Sequence, residues 1–156
     1  AILFHVLPDV GPVHTVSVIP TGAGAAGYTM PLPGKDEMFL TKGKMLQEIM
    51  VDLGGRIAEE LILDDITTGA SQDIKQATAT AKSMVTKYGF SDKLGLINYD
   101  DESDDVFIGR DLAHSKGYGE LQLLTRKLGK LLIHVIKRLR RLLKTIWNSC
   151  MQVQHC

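Results

Sequence analysis

Gly54-Gly-Arg-Ile-Ala-Glu-Glu-Leu-Ile62 and, four residues later, Thr67-Thr-Gly-Ala-Ser-Gln-Asp-Ile74 hold the pattern that decides the fold. The first stretch ends a run in which Met45, Leu46, Ile49, Met50, Leu53, Ile57, Leu61 and Ile62 recur at helical spacing, predicting a helix over about 41–63. Gly54-Gly55 interrupts it, each glycine costing roughly 1 kcal/mol relative to Ala. A kink, or a close crossing with another helix, is the usual reason for such a pair. The second stretch is a loop of small residues and hydroxyls running into another helix, over about 72–88. Ile74, Ala77, Ala81, Met84, Val85 and Tyr88 fall on one face of that helix. Ser71 suits its N-cap and Gly89 its C-terminal stop.

Outward from this centre, residues 1–7 read as the last turns of a helix ended by Pro8. Val13 to Ile19 alternates as a half-buried strand, with His14, Val16 and Val18 on the face expected to point inward. A turn at 21–24 leads to a returning strand within Ala25–Met30, followed by a loop at 31–35. Leu94–Tyr99 and Val106–Ile108 read as short extended pieces around an acidic loop at 100–105. The expected class is mainly α with a small β-sheet near the N-terminus.

The 156 residues suffice for one domain with a real core, and no run of about 18 apolar residues is present to span a membrane. The start, Ala-Ile-Leu-Phe-His, lacks an initiator Met and the layout of a signal peptide, and reads as a cut end. Cys150 and Cys156 both fall in the last seven residues, which excludes a disulfide framework or a cysteine zinc site in the body. The zero net charge conceals an asymmetry. All 18 acids lie at or before Glu120 against 10 Lys and Arg, whereas residues 121–156 carry 8 Lys and Arg and no acid. The expected organisation is therefore a body at 1–120 and a basic tail at 121–156.

Asp73 is the first candidate for chemistry. An acid in a first helical turn is favoured by the exposed backbone N–H groups and the helix dipole, and that alone can explain it. A carboxylate kept ionised there also suits a metal, since zinc accepts Asp oxygen beside His nitrogen. The residues themselves leave both readings open. Glu59 and Glu60 point about 100° apart on their helix, and Glu60 is placed to pair with Arg56 one turn back. Thr67, Thr68 and Ser71 suit loop and helix-end backbone groups. Of the histidines, His14 reads as a core or rim residue, and His5, His114, His134 and His155 lack ligand spacing with Asp73. Gly22–Gly27 lacks the Gly-Lys-Ser/Thr ending of a phosphate loop and reads as a hairpin turn, or as an edge able to pair with an extended peptide.

Taken together, several segments resemble the protease domain of the FtsH family, which are membrane-anchored, ATP-dependent zinc metalloproteases. They are Pro12–Pro20, Gly27-Tyr-Thr-Met-Pro31, Gly54–Glu60, Thr67–Asp73, Ala79–Phe90 and Phe107-Ile-Gly-Arg110, covering residues 1 to about 120 in family order. The resemblance implies that Asp73 is the third zinc ligand, that Glu59 supports the metal site, and that Gly27, Tyr28 and Thr29 lie on a substrate-binding strand. It implies Zn(2+) as cofactor, ATP bound by a module absent from this chain, and unfolded or membrane polypeptides as substrates. A hexameric ring held on the cytoplasmic side of a membrane, anchored by segments absent here, is also implied, with no specific nucleic-acid partner. The family's His-Glu-x-x-His, which supplies two ligands and the general base, occurs nowhere in the 156 residues. In the family Ala-Ile or Ala-Val follows it, so Ala1-Ile2 places the expected motif immediately before residue 1. The fragment is expected to be inactive alone, the alternatives being an assembly module or a binder of anionic surfaces through the tail.

The tail holds Leu121, Leu124, Leu128, Leu131, Leu132, Val135, Leu139, Leu142, Leu143 and Ile146 at helical spacing among Lys and Arg, a basic amphipathic helix. A second reading is open. With permissible codons chosen from Glu120 onward and the frame shifted by one base, residues 121–156 can be read as a mixed-charge string containing Ile-Asp-Gln-Glu-Val, which resembles the family's C-terminal helices. A frameshift near Glu120 is therefore expected.

Overall fold

The computed structural model describes residues 1–19, 27–32, 39–63, 65–91, 96–98 and 118–153. Helix α1 (Ile2–Val6) is followed by strands β1 (Val13–Ser17) and β2 (Tyr28–Pro31), then by helices α2 (Lys42–Asp52) and α3 (Gly54–Ile62). A 3₁₀ turn (Thr68–Ala70) leads into α4 (Ser71–Thr86), and the long helix α5 (Tyr118–Val153) completes the order. The class is mainly α with one small sheet, as the periodicities predict.

β1 and β2 pair antiparallel, with Thr15 opposite Met30 and Ser17 opposite Tyr28, and the register slips between Val13 and Thr15. The alternation in β1 is present but its facing is the reverse of that expected. Val13, Thr15 and Ser17 are the half-covered residues, whereas His14 and Val16 are exposed and Val18 beyond the strand is 83% exposed. Among the described residues no further layer packs on this two-stranded sheet to favour the bulkier face, so the hydrophobic alternation did not fix which side is covered. His14 is thus a surface residue, its Nδ1 sharing a 2.7 Å hydrogen bond with the Thr15 hydroxyl. The expected turn at 21–24, the acidic loop at 100–105 and the extended piece at 106–108 lie outside the described residues, as do 94, 95 and 99 of the expected piece at 94–99.

The helical run over 41–63 is two helices. Thr41 caps α2 by accepting the Lys44 N–H at 3.2 Å, and the chain breaks at Leu53 before α3 begins at Gly54. The reason is packing. A Cβ on Gly54 would sit 2.5 Å from Leu3 Cδ1, while one on Gly55 would meet nothing within 4 Å. Only the first glycine of the pair serves the crossing. At the other end, Gly89 takes φ 61° and the Phe90 N–H returns to the Met84 carbonyl at 2.9 Å, so Gly89 is the predicted stop.

The core is built where α2 meets α4, and α5 lies across both. Ile49, Met50 and Met84 are fully buried beside Val135 and Leu139 of α5, and Leu3, Leu7 and Val10 close the cluster from the N-terminal side. Ala77 and Ala81 are also fully buried, which lets α4 approach its neighbours closely. One buried polar residue ties the N-terminal loop to α2. Gln47 accepts the Asp9 N–H at 2.9 Å and donates to the Asp9 carboxylate. No described helix is long and apolar enough to cross a membrane.

Candidate metal-binding region

The segment leading to Asp73 is held by α3. Arg56 and Glu59 lie three residues apart, hence on adjacent positions of one helical face. Glu59 accepts the Thr67 N–H at 3.2 Å, and the Thr67 hydroxyl donates to both Glu59 carboxylate oxygens at 3.2 Å. Arg56 Nη1 donates to the Thr67 carbonyl at 3.2 Å. Thr67 Oγ1 in turn accepts the Gly69 N–H at 3.3 Å, which opens the 3₁₀ turn. Both backbone groups of one extended loop residue and its hydroxyl are therefore engaged. Thr67, and not Ser71, is the capping residue at this corner: Ser71 is already helical and makes no capping bond.

Asp73 follows in the first turn of α4 with its side chain exposed. The expected Arg56–Glu60 pair is not formed among the described residues. Arg56 is committed to Thr67, and Glu60 takes Arg140 of α5 at 2.6 Å. The 100° between the two glutamates sends one to the loop and the other to α5.

Asp52, the last residue of α2, was not evident from the sequence. Its carboxyl is pushed up to about 6, first by burial, then by the negative charges of Asp73 and Glu48. Asp52 and Asp73 are thus electrostatic neighbours at the point where the end of α2 meets the start of α4. No local pattern links positions 21 residues apart on different helices; only the packing of α2 on α4 does.

The other candidates stand apart. His5, His14 and His134 are exposed on α1, β1 and α5, and His114 and His155 lie outside the described residues. Among the described residues, no group of three or more His, Cys, Asp or Glu side chains could hold a metal ion. Zinc sites take at least three protein ligands, so Asp73 with its described surroundings does not amount to one. Gly27 precedes β2, where a Cβ would fall 2.5 Å from the Ser17 carbonyl oxygen. That contact requires glycine. Tyr28 and Thr29 pair with Ser17 and Val16, and among the described residues β2 has no strand on its other edge.

The sequence profile of peptidase family M41 matches residues 1–153. The chain belongs to this family. It is 52% identical over 120 residues to an ATP-dependent zinc metalloprotease FtsH of Caldicellulosiruptor bescii, covering 77% of this chain and 19% of that protein. A Veillonella parvula protein of the same name is 50% identical over 120 residues, 77% of this chain and 18% of its own length. ATP-dependent zinc metalloprotease FtsH 1 of a Thermoanaerobacter species is 43% identical over 146 residues, 92% of this chain and 24% of that protein. The chain thus spans about a fifth of the length of these M41 relatives. The FtsH resemblance read from the motifs is the family found by comparison.

Proposed function

We propose that this chain carries the Asp73 part of an M41 zinc-endopeptidase site and does not hydrolyse peptides by itself. The observation behind this reading is the Arg56–Glu59 clamp on Thr67, which holds the approach to Asp73 against α3. A ligand on a helix start, fixed by a neighbouring helix, is the rigid mounting that a metal site needs. Asp73 would be the third ligand and Glu59 its positioning residue. The edge of β2 that has no strand beside it among the described residues, at Gly27, Tyr28 and Thr29, would take an extended polypeptide by strand addition. Two histidines and a general base on a His-Glu-x-x-His helix would complete the site, with zinc polarising the peptide carbonyl and activating water when bound. The name that the relatives share supports dependence on ATP, supplied by a separate module, and the substrates would be unfolded and membrane proteins. The parent would work as a hexameric ring anchored with this domain on the cytoplasmic side.

The test compares the 156-residue chain with one extended upstream of Ala1 by a His-Glu-x-x-His helix, measuring zinc by elemental analysis and hydrolysis of an unfolded protein. The short chain is expected to lack stoichiometric zinc and the extended chain to gain it. Asp73→Asn in the extended chain should then reduce zinc content. Stoichiometric zinc on the short chain would overturn its inactivity, and unchanged zinc in Asp73→Asn would remove Asp73 from the ligand set. For residues 121–156, over most of which the family profile still runs, we propose translation out of the family's frame, supported by a 36-residue stretch without acid after 120 residues containing 18. Coding DNA whose codons cannot yield the shifted string would refute it.

A further inference from the structure

The side of α5 turned away from the body is a cationic ribbon. The helix's apolar stripe is already used: Val135 and Leu139 are buried, and Leu128, Leu131, Leu132 and Leu142 pack against the same core. Opposite that stripe, Arg126, Lys130, Lys137, Arg141 and Lys144 recur at intervals of four, seven, four and three residues, all exposed. On one helical face these five span about 27 Å. None of the five meets an acid among the described residues, and the segment that carries them contains none. Between and beyond them, Leu123 and Ile133 are 42% and 54% exposed, while Trp147, 49% exposed, lines the cleft that the end of α5 forms with Ile2, Ala58, Leu61 and Ile62.

We propose that this face docks on an anionic lipid surface, as a peripheral contact and not an inserted helix. Insertion would require the apolar stripe, and that stripe belongs to the protein core. The exposed ribbon instead meets acidic headgroups by charge, each cation strengthening partition about fivefold close to such a surface. Leu123 and Ile133 favour lipid over nucleic acid: apolar side chains among the cations gain nothing from phosphates but settle into the headgroup layer, with Trp147 at the neighbouring cleft as a nearby reporter. This docking is a property of the chain as it stands, independent of the peptidase reading and of the frame from which residues 121–156 are translated.

The test uses the full 156-residue chain and vesicles of phosphatidylcholine, with or without about one-third phosphatidylserine, read by co-sedimentation and by fluorescence of Trp147, the only tryptophan. Binding is expected to the acidic vesicles alone, with a blue shift of Trp147, and to be lost in 1 M salt, where the Debye length is about 3 Å. Lys137→Gln/Arg141→Gln should weaken binding about 25-fold. Lys75→Gln/Lys82→Gln, the same charge change on exposed positions of α4, should change it less than twofold, with circular dichroism establishing that both variants fold. Four results would overturn the proposal: no binding to acidic vesicles, equal loss in the two variants, binding that survives 1 M salt, or tighter binding to duplex DNA at the same salt.

Discussion

Gly54 and Gly55 are neighbours in sequence and opposites in surroundings, so replacing each with alanine separates packing from helix propensity. At Gly55 a Cβ meets open space, and the change to alanine should raise stability by about 0.5–1 kcal/mol through reduced chain entropy and better propensity. At Gly54 the new methyl would lie 2.5 Å from Leu3 Cδ1. Leu3 is 6% exposed and lies in the core cluster, so its side chain has no solvent to swing into. Overpacking of this kind costs about 1–3 kcal/mol, partly offset by the propensity gain, leaving Gly54→Ala destabilised by about 1–2 kcal/mol. The two variants should therefore differ by about 2 kcal/mol in urea unfolding followed by circular dichroism, with unchanged m-values. The double variant Gly54→Ala/Leu3→Ala should be less destabilised than the sum of its parts, because removing the leucine removes the clash. Equal stability of Gly54→Ala and Gly55→Ala would refute the α1–α3 crossing as the cause of the helix break.

Asp52 should make stability depend on pH. Its folded carboxyl titrates at about 6, above its ordinary 3.8, so the stability it contributes is present below about pH 4 and is lost as pH rises through 6. The full difference corresponds to about 3 kcal/mol, which solvent screening at this half-buried position reduces to about 1–2 kcal/mol. Asp52→Asn should remove that slope and stabilise the protein at pH 7, as measured by urea unfolding at pH 4.5 and 7. Leu139→Ala should cost about 2–5 kcal/mol in the same assay, since Leu139 is fully buried among residues of the body. A loss under about 0.5 kcal/mol, typical of surface positions, would mean that α5 does not share the core.

Helix positions were legible because apolar periodicity over ten or more residues admits few alternatives, and the stop at Gly89 because a left-handed residue calls for glycine. The facing of β1 was not legible, since alternation gives two faces and only a packing partner decides between them. At the candidate site, Asp73 and Glu59 stood out by motif, but their surroundings did not. Glu59 reaches Thr67 across eight residues and Glu60 reaches Arg140 across 80, so an i, i+4 rule within one helix assigned Arg56 the wrong partner. Asp52 stayed hidden for the same reason: its raised titration arises from burial and from Asp73 across a tertiary contact.

The distance in sequence between α5 and the rest of the core also orders events in time. The α2–α4 contacts close a short loop, whereas Val135 and Leu139 reach partners such as Ile49 and Met84 only after a much longer one. Loop closure grows costlier with length, and rates fall as contacts become more distant. The body helices are therefore placed to form the nucleus, with α5 arriving last and leaving first. Such a late-docking element opens as a unit of its own, and each opening bares the apolar faces of α2 and α4 together. The lifetime of that open state, more than the strength of any single contact, would set how readily this protein self-associates.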